Sequence, residues 1–144
     1  MLNVSILHGP NLNLLGTRQP DIYGDRSFED LLTELQTEFP SVKINYAQTN
    51  VEGDLVSLIQ SHGFKSDYLI LNAAAYTHTS VAIPDAVAAV PAQVIGVHLS
   101  NIYQREEVRH VDLFAKHCVA CLFGFGLEGY KMALRYITNV EDDK

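Results

Sequence analysis

Three polar blocks of this chain hold the residue types that proton transfer near neutral pH requires. The first, HGPNLNLLGTRQPDIYGD at 8–25, is long for a strand-to-helix connection, which marks it as a functional loop. Gly16 and Gly24 bracket TRQPDIY and give it the flexible ends of a lid, with Arg18 and Tyr23 on it. The second, LNAAAYTHTSVAIPDA at 71–86, follows a strand with small residues that let a ligand approach the backbone, while Asn72 and His78 offer directional hydrogen bonds. Thr79 or Ser80 caps the next helix, and Tyr76 is read as packing. The third, VHLSNIYQREEVRH at 97–110, ends a strand on His98, an imidazole suited to general-acid work. The Leu99 and Ser100 backbone behind it can aim N–H groups at a carboxylate, and Arg109 is a candidate clamp. Singly, each residue has a plainer account: Tyr23 as a packed ring, Arg18 as a surface charge, His78 as a core histidine, Arg105 to Arg109 as a solvated helix face.

Positioning these blocks requires a framework, and five short apolar runs supply it: 2–7, 42–47, 67–72, 93–98 and 118–123. Between them, SFEDLLTELQTEF at 27–39 puts Phe28, Leu31, Leu32, Leu35 and Phe39 on one helical face behind a Ser27 N-cap. Further helices are expected near 53–62, 80–90, 103–109 and 127–138. Strands alternating with helices predict right-handed parallel crossovers, an α/β fold with a sheet covered on both faces. Ligands bind such sheets beyond the carboxyl ends of the strands, so residues 8–11, 72–78 and 98–101 are expected to converge.

Length predicts one domain, residues 1–144, with 139–144 as a flexible tail. An apolar fraction of 47% with 19% charged residues describes a globular protein and excludes general disorder. A formal charge of -7 argues against nucleic acid as a partner, since displacing counterions needs a basic face. An anionic substrate must then be held by a few local arginines and backbone amides. No apolar run reaches membrane-spanning length, and MLNVSILHGPN lacks a basic region followed by a cleavage site, so a cytoplasmic protein with no membrane partner is expected. Cys118 and Cys121 have redox or metal spacing, but a buried strand at HCVACLF would point them to opposite faces, and no second pair completes a zinc site.

The three blocks together resemble the type II 3-dehydroquinate dehydratases. GPNLNLLGTR with IYG, the Asn-small-small-small-aromatic-THTS run and HLSNIYQREEVR match that family in order and spacing, and GFGLEGY at 124–130 resembles its last glycine-rich turn. The resemblance covers nearly the whole chain. It implies a flavodoxin-like three-layer fold with a five-stranded parallel sheet and a trans elimination of water through an enolate, giving 3-dehydroshikimate from 3-dehydroquinate without metal or cofactor. On this resemblance Tyr23 is the base, Arg18 favours its phenolate, Asn11 stabilises the enolate through a water, and His98 protonates the departing hydroxyl. Asn72 with the Leu99 and Ser100 backbone binds the carboxylate, while His78 and Arg109 bind ring hydroxyls. Asp85 reaches a neighbouring subunit's site in a homododecamer built as a tetramer of trimers. An unperturbed tyrosine has a pKa near 10, so a nearby arginine must stabilise the phenolate for it to act as a base at neutral pH.

The chain departs from the family pattern in three places. Gly96 stands where a glutamate usually precedes the acid histidine, so an orienting partner for His98 is expected to be missing. Pro84 replaces an arginine beside Asp85, and His110-Val111-Asp112 replaces a stretch that often continues with histidine and serine. Two further functions fit the same fold: a flavodoxin-like electron carrier or binding module, and a catalytically weak dehydroquinase relative. Against the first, HGPNLNLLG lacks a Ser/Thr-rich phosphate turn and the first strand does not end in aspartate.

Overall fold

A computed structural model describes residues 1–17, 21 and 26–144. The lid segment carrying Arg18 and Tyr23 therefore lies outside the described residues. Five strands form one parallel sheet: β1 (Leu2–His8), β2 (Val42–Gln48), β3 (Tyr68–Asn72), β4 (Gln93–His98) and β5 (Ala120–Phe123), in the order β2-β1-β3-β4-β5. Four longer helices connect or follow them: α1 (Phe28–Glu38), α2 (Glu52–Gly63), α3 (Ala82–Ala89) and α4 (Glu128–Asp142).

Strand alternation builds a core on each side of the sheet. Val4, Ile6, Ile70, Ile95 and Val97 pack against Leu31 and Leu35 of α1 and Ala133, Leu134 and Ile137 of α4. Their neighbours Leu7, Leu69, Leu71 and Val94 pack on the other side against Leu55 and Ile59 of α2 and Ile83 and Val87 of α3. The result is the three-layer α/β arrangement expected, with β3 buried along its entire length. Ser27 caps α1 by accepting from the Asp30 amide at 3.2 Å, and Ser80 accepts from Ile83 at 3.1 Å at the entry to α3.

The segment near 103–109 is not a continuous helix. It forms two separate 3-10 turns, Ile102–Gln104 and Glu107–His110, with extended backbone at Arg105 between them. The reason lies in its composition: QREEVRH has no apolar stripe to bury, so nothing in the packing rewards a regular helix. At the chain end α4 continues through Asp142, beyond where the tail was expected to begin, and Tyr68 donates to Glu141 at 2.8 Å.

The cysteines also differ from expectation. β5 begins only at Ala120, leaving Cys118 in the turn before it, so strand alternation does not apply to the pair. Both sulfurs pack around Gly96: a Cβ there would lie 3.3 Å from Cys121 Sγ and 3.6 Å from Cys118 Sγ. The adjacent Cys121 sulfur, then burial, push the Cys118 thiol up, which disfavours the reactive thiolate. Among the described residues no three metal-ligating side chains cluster.

Candidate active site

The site lies beyond the carboxyl ends of β1, β3 and β4, around the point where the sheet order reverses. β1 and β3 leave the sheet in close contact. Gly9 donates to the Asn72 carbonyl at 2.8 Å, and a Cβ on Gly9 would lie 2.5 Å from the Ala73 carbonyl oxygen, so only glycine fits this crossing. Immediately after it, Asn11 adopts a left-handed conformation (φ 69°) that asparagine tolerates better than most residues. Its amide donates to Asn50 at 3.0 Å, which ties the β1 loop to the end of β2.

Asn72 is almost fully buried at the end of β3. Its side-chain Oδ1 accepts from the Ala74 amide at 3.1 Å, and Ala74 holds φ 50°, a conformation that costs a non-glycine residue roughly 1–2 kcal/mol. The Asn72 amide group donates to the Tyr130 hydroxyl at 3.1 Å. That hydroxyl is also 2.7 Å from His8 Nε2, and His8 Nδ1 is 3.0 Å from the Tyr46 hydroxyl. A chain of polar groups, buried at Asn72, Tyr130 and His8 and partly buried at Tyr46, therefore runs beneath the cleft and fixes Asn72 from below. Burial lowers the His8 pKa to about 3 and raises both phenols, so the chain is neutral at ordinary pH. His8 is a structural group, enclosed by Phe28, Tyr46 and Tyr130.

Beyond Asn72 the chain turns through one helical turn, Tyr76–Thr79, which presents His78 to the cleft. His78 Nδ1 donates to the Val111 carbonyl at 2.7 Å. Burial lowers its pKa, opposed by that hydrogen bond, so the neutral ring keeps Nε2 as an acceptor. Tyr76, read as packing, lies against the α2–α3 side of the core and also donates to the Asn50 carbonyl at 2.8 Å.

His98 ends β4, 7% exposed, with its ring centroid 6.5 Å from that of His78. Its Nε2 donates to Asp112 Oδ2 at 2.8 Å, leaving Nδ1 as the ring nitrogen for a molecule in the cleft. The partner expected to be missing because of Gly96 is thus present, supplied by a residue distant from the β4 position. Leu99 and Ser100 follow along the cleft wall. Their loop is held by the glycine-rich turn at 124–126, where Gly126 donates to the Leu99 carbonyl at 2.9 Å and Gly124, at φ 93°, packs against Asn101.

Arg105 and Arg109 both line the cleft. Arg109 Nε donates to Glu106 at 3.1 Å, and Arg105 Nε is 3.9 Å from the same exposed carboxylate, so an anionic ligand must compete with Glu106 for this pair. Sequence reasoning singled out Arg109 but assigned Arg105 to a solvated face. It also missed Asp112 and Tyr130 as supports of His98 and Asn72. Their signals were weak, because an acid in a departing stretch and a tyrosine on a distant helix acquire meaning only when the loops converge.

Of the expected site residues, Asn11, Asn72, His78, His98, Leu99, Ser100 and Arg109 meet in this one cleft. Asp85 does not line it. It is exposed on the first turn of α3, on the far side of the sheet from α1 and α4. Arg18 and Tyr23 lie outside the described residues.

Comparison with known proteins identifies the family. The family model for Dehydroquinase class II matches residues 2–138. A relative from an Exiguobacterium species, named 3-dehydroquinate dehydratase, is 46% identical over 134 residues, covering 92% of each chain. A Bordetella avium protein of the same name is 47% identical over 138 residues, covering 93% of this chain and 95% of its own. The crystal structure of type II dehydroquinase from Butyrivibrio crossotus superposes with a TM-score of 0.90 at 37% identity, covering 95% of this chain and 97% of that one. With three loops of a flavodoxin-like sheet converging on one polar cleft and these relatives matching along nearly the whole length, the chain belongs to the class II dehydroquinase family.

Proposed function

We infer that the cleft removes water from 3-dehydroquinate by trans elimination to give 3-dehydroshikimate, the hydro-lyase reaction for which the curated relatives are named. The observation that carries this reading is the convergence of Asn11, Asn72, His78, His98 and Arg109 from separate loops on one cleft of a dehydroquinase-family chain.

In this reading the Tyr23 phenolate takes the proton beside the ketone, and the released electron pair forms an enolate. Arg18 keeps the phenol ionised near neutral pH, where an unperturbed tyrosine with a pKa near 10 is protonated. Asn11 holds a water against the enolate oxygen, an oriented dipole where charge develops. As the enolate collapses, the carbon–oxygen bond breaks, and His98 gives its Nδ1 proton to the departing hydroxyl, which leaves as water. Asn72 and the Leu99 and Ser100 backbone receive the substrate carboxylate. His78, neutral with Nε2 as acceptor, and Arg109, as donor, divide the ring hydroxyls between opposite hydrogen-bonding roles.

Incubating the purified protein with 3-dehydroquinate should produce the ultraviolet absorbance of a conjugated enone. Folded protein that yields none across a range of pH would overturn the reading. A yellow protein carrying bound flavin would instead favour the electron-carrier alternative.

The finer assembly and location belong to the same proposal: a cytoplasmic homododecamer of four trimers, with Asp85 entering a neighbouring subunit's site. Supporting this are the exposure of Asp85 and the 71% exposure of nearby Val81, an apolar residue poorly suited to water. Sedimentation and specific activity should fall together on dilution, because each site loses its neighbour's aspartate. A fully active monomer would remove Asp85 from the site. Among the described residues no helix is long and apolar enough to cross a membrane.

A further inference from the structure

We propose that Asp112 is the positioning residue for His98, holding Nε2 so that Nδ1 delivers its proton to the leaving oxygen; this rests on His98 being the acid. Two features of the geometry favour a built contact over a chance one. The Asp112 side chain is itself 12% exposed, and its two oxygens do different jobs. Oδ2 accepts from His98 Nε2 at 2.8 Å, while Oδ1 accepts from the Phe114 amide at 3.1 Å and the Ala115 amide at 2.9 Å. The backbone amides fix the carboxylate, and the carboxylate fixes the ring. Phe114, fully buried, lies 6.2 Å from the His98 ring centroid and limits its rotation. The strand carrying His98 has little room to supply a carboxylate itself, because a Cβ at Gly96 would lie 3.3 Å from both the Phe114 ring and Cys121 Sγ.

The chemistry requires this partner at one stage. To act as the acid His98 must carry protons on both nitrogens, and the Asp112 carboxylate accepts the one on Nε2, leaving the one on Nδ1 for the cleft. When the Nδ1 proton leaves with the hydroxyl, the neutral ring keeps Nε2–H on Asp112, so the tautomer that results is the one ready to be reprotonated at Nδ1. A solvent proton then restores the acid. Among the described residues, the other charged or titratable groups around the ring are His78, Arg105 and Arg109 on the cleft side and Cys118 and Cys121 near Asp112.

Asp112→Asn tests the proposal, since its amide oxygen can still accept from Phe114 and Ala115 while its NH2 group faces Nε2 and cannot accept the proton there. The kcat should fall about tenfold to a hundredfold, less than the roughly 10²–10⁴ that a general acid supplies in full, with KM within about threefold of wild type. Added to His98→Ala, the same substitution should cost less than about twofold, because Asp112 acts through the ring. Unchanged kcat in Asp112→Asn, beside a crippled His98→Ala, would overturn the role of Asp112 and leave that of His98 standing. Equal losses in both backgrounds with a lowered urea midpoint would also overturn it, by making Asp112 a cap of its turn only. Normal turnover in His98→Ala would instead remove the acid assignment on which the proposal rests.

Discussion

His98→Ala should lower kcat by about 10²–10⁴ while KM stays within a few-fold of wild type. The size follows from the task. Hydroxide is a poor leaving group at neutral pH, and the proton that converts it to water is needed in the transition state rather than in the bound ground state. The site offers few substitutes. His78, the nearest other imidazole, spends its Nδ1 proton on the Val111 carbonyl and is held toward the neutral form by burial. Arg105 and Arg109 line the cleft but do not release protons near neutral pH. The protein should remain folded, because Asp112 still accepts from the Phe114 and Ala115 amides once the ring is gone. Steady-state kinetics with a circular dichroism check decides the matter. A folded variant with near-normal kcat would assign the acid elsewhere.

The largest effect on stability should come from His8 and appear as acid destabilisation that begins well above the range of carboxylate titration. Fully buried His8 has its pKa lowered from 6.5 to about 3. Between those values the unfolded chain binds a proton at this position and the folded chain does not, so stability rises with pH across that window and falls on acidification. Each pH unit inside the window corresponds to about 1.4 kcal/mol, for a total of several kcal/mol, comparable with the roughly 5–15 kcal/mol of a typical domain. His62 and His78 have pKa values lowered by burial and act in the same direction, more weakly because they are more exposed. Urea unfolding at successive pH values from 7 to 4 should show midpoints falling steadily, with proton uptake on unfolding. In His8→Asn the slope between pH 6.5 and 5 should flatten markedly, whatever the variant's absolute stability. A wild-type midpoint that stays constant down to pH 5 would contradict the assignment, because a buried neutral imidazole must then have been matched by an equally protected one in the unfolded chain.

The strands were legible in the sequence because each is a short apolar-rich run; the central β1, β3 and β4 are buried on both faces over most of their length, the edge strands β2 and β5 less so, and parallel crossovers followed from the helical patterns between them. His98, Asn72 and His78 were legible as candidates because a parallel sheet sends every strand's carboxyl end to one edge. Segments without an apolar stripe were harder. QREEVRH has the spacing of one helical turn between Arg105 and Arg109, yet it breaks into two 3-10 turns, and both arginines still reach the cleft. At Cys118 the apolar run continues without interruption although the strand starts two residues later, since hydrophobicity reports burial and not the onset of pairing.

What the chain alone determined was the layer architecture, the edge that carries the site and most of the residues that meet there. Only the tertiary structure decided which groups hold those residues in place. Asp112 lies 14 positions from His98, and Tyr130 lies 58 from Asn72 and 122 from His8. Such partners leave no periodic trace, because a hydrogen bond between distant segments depends on how the loops close over the sheet. The absence of a side chain at Gly96 removed a local support from view, while the support itself arrived from another loop through space.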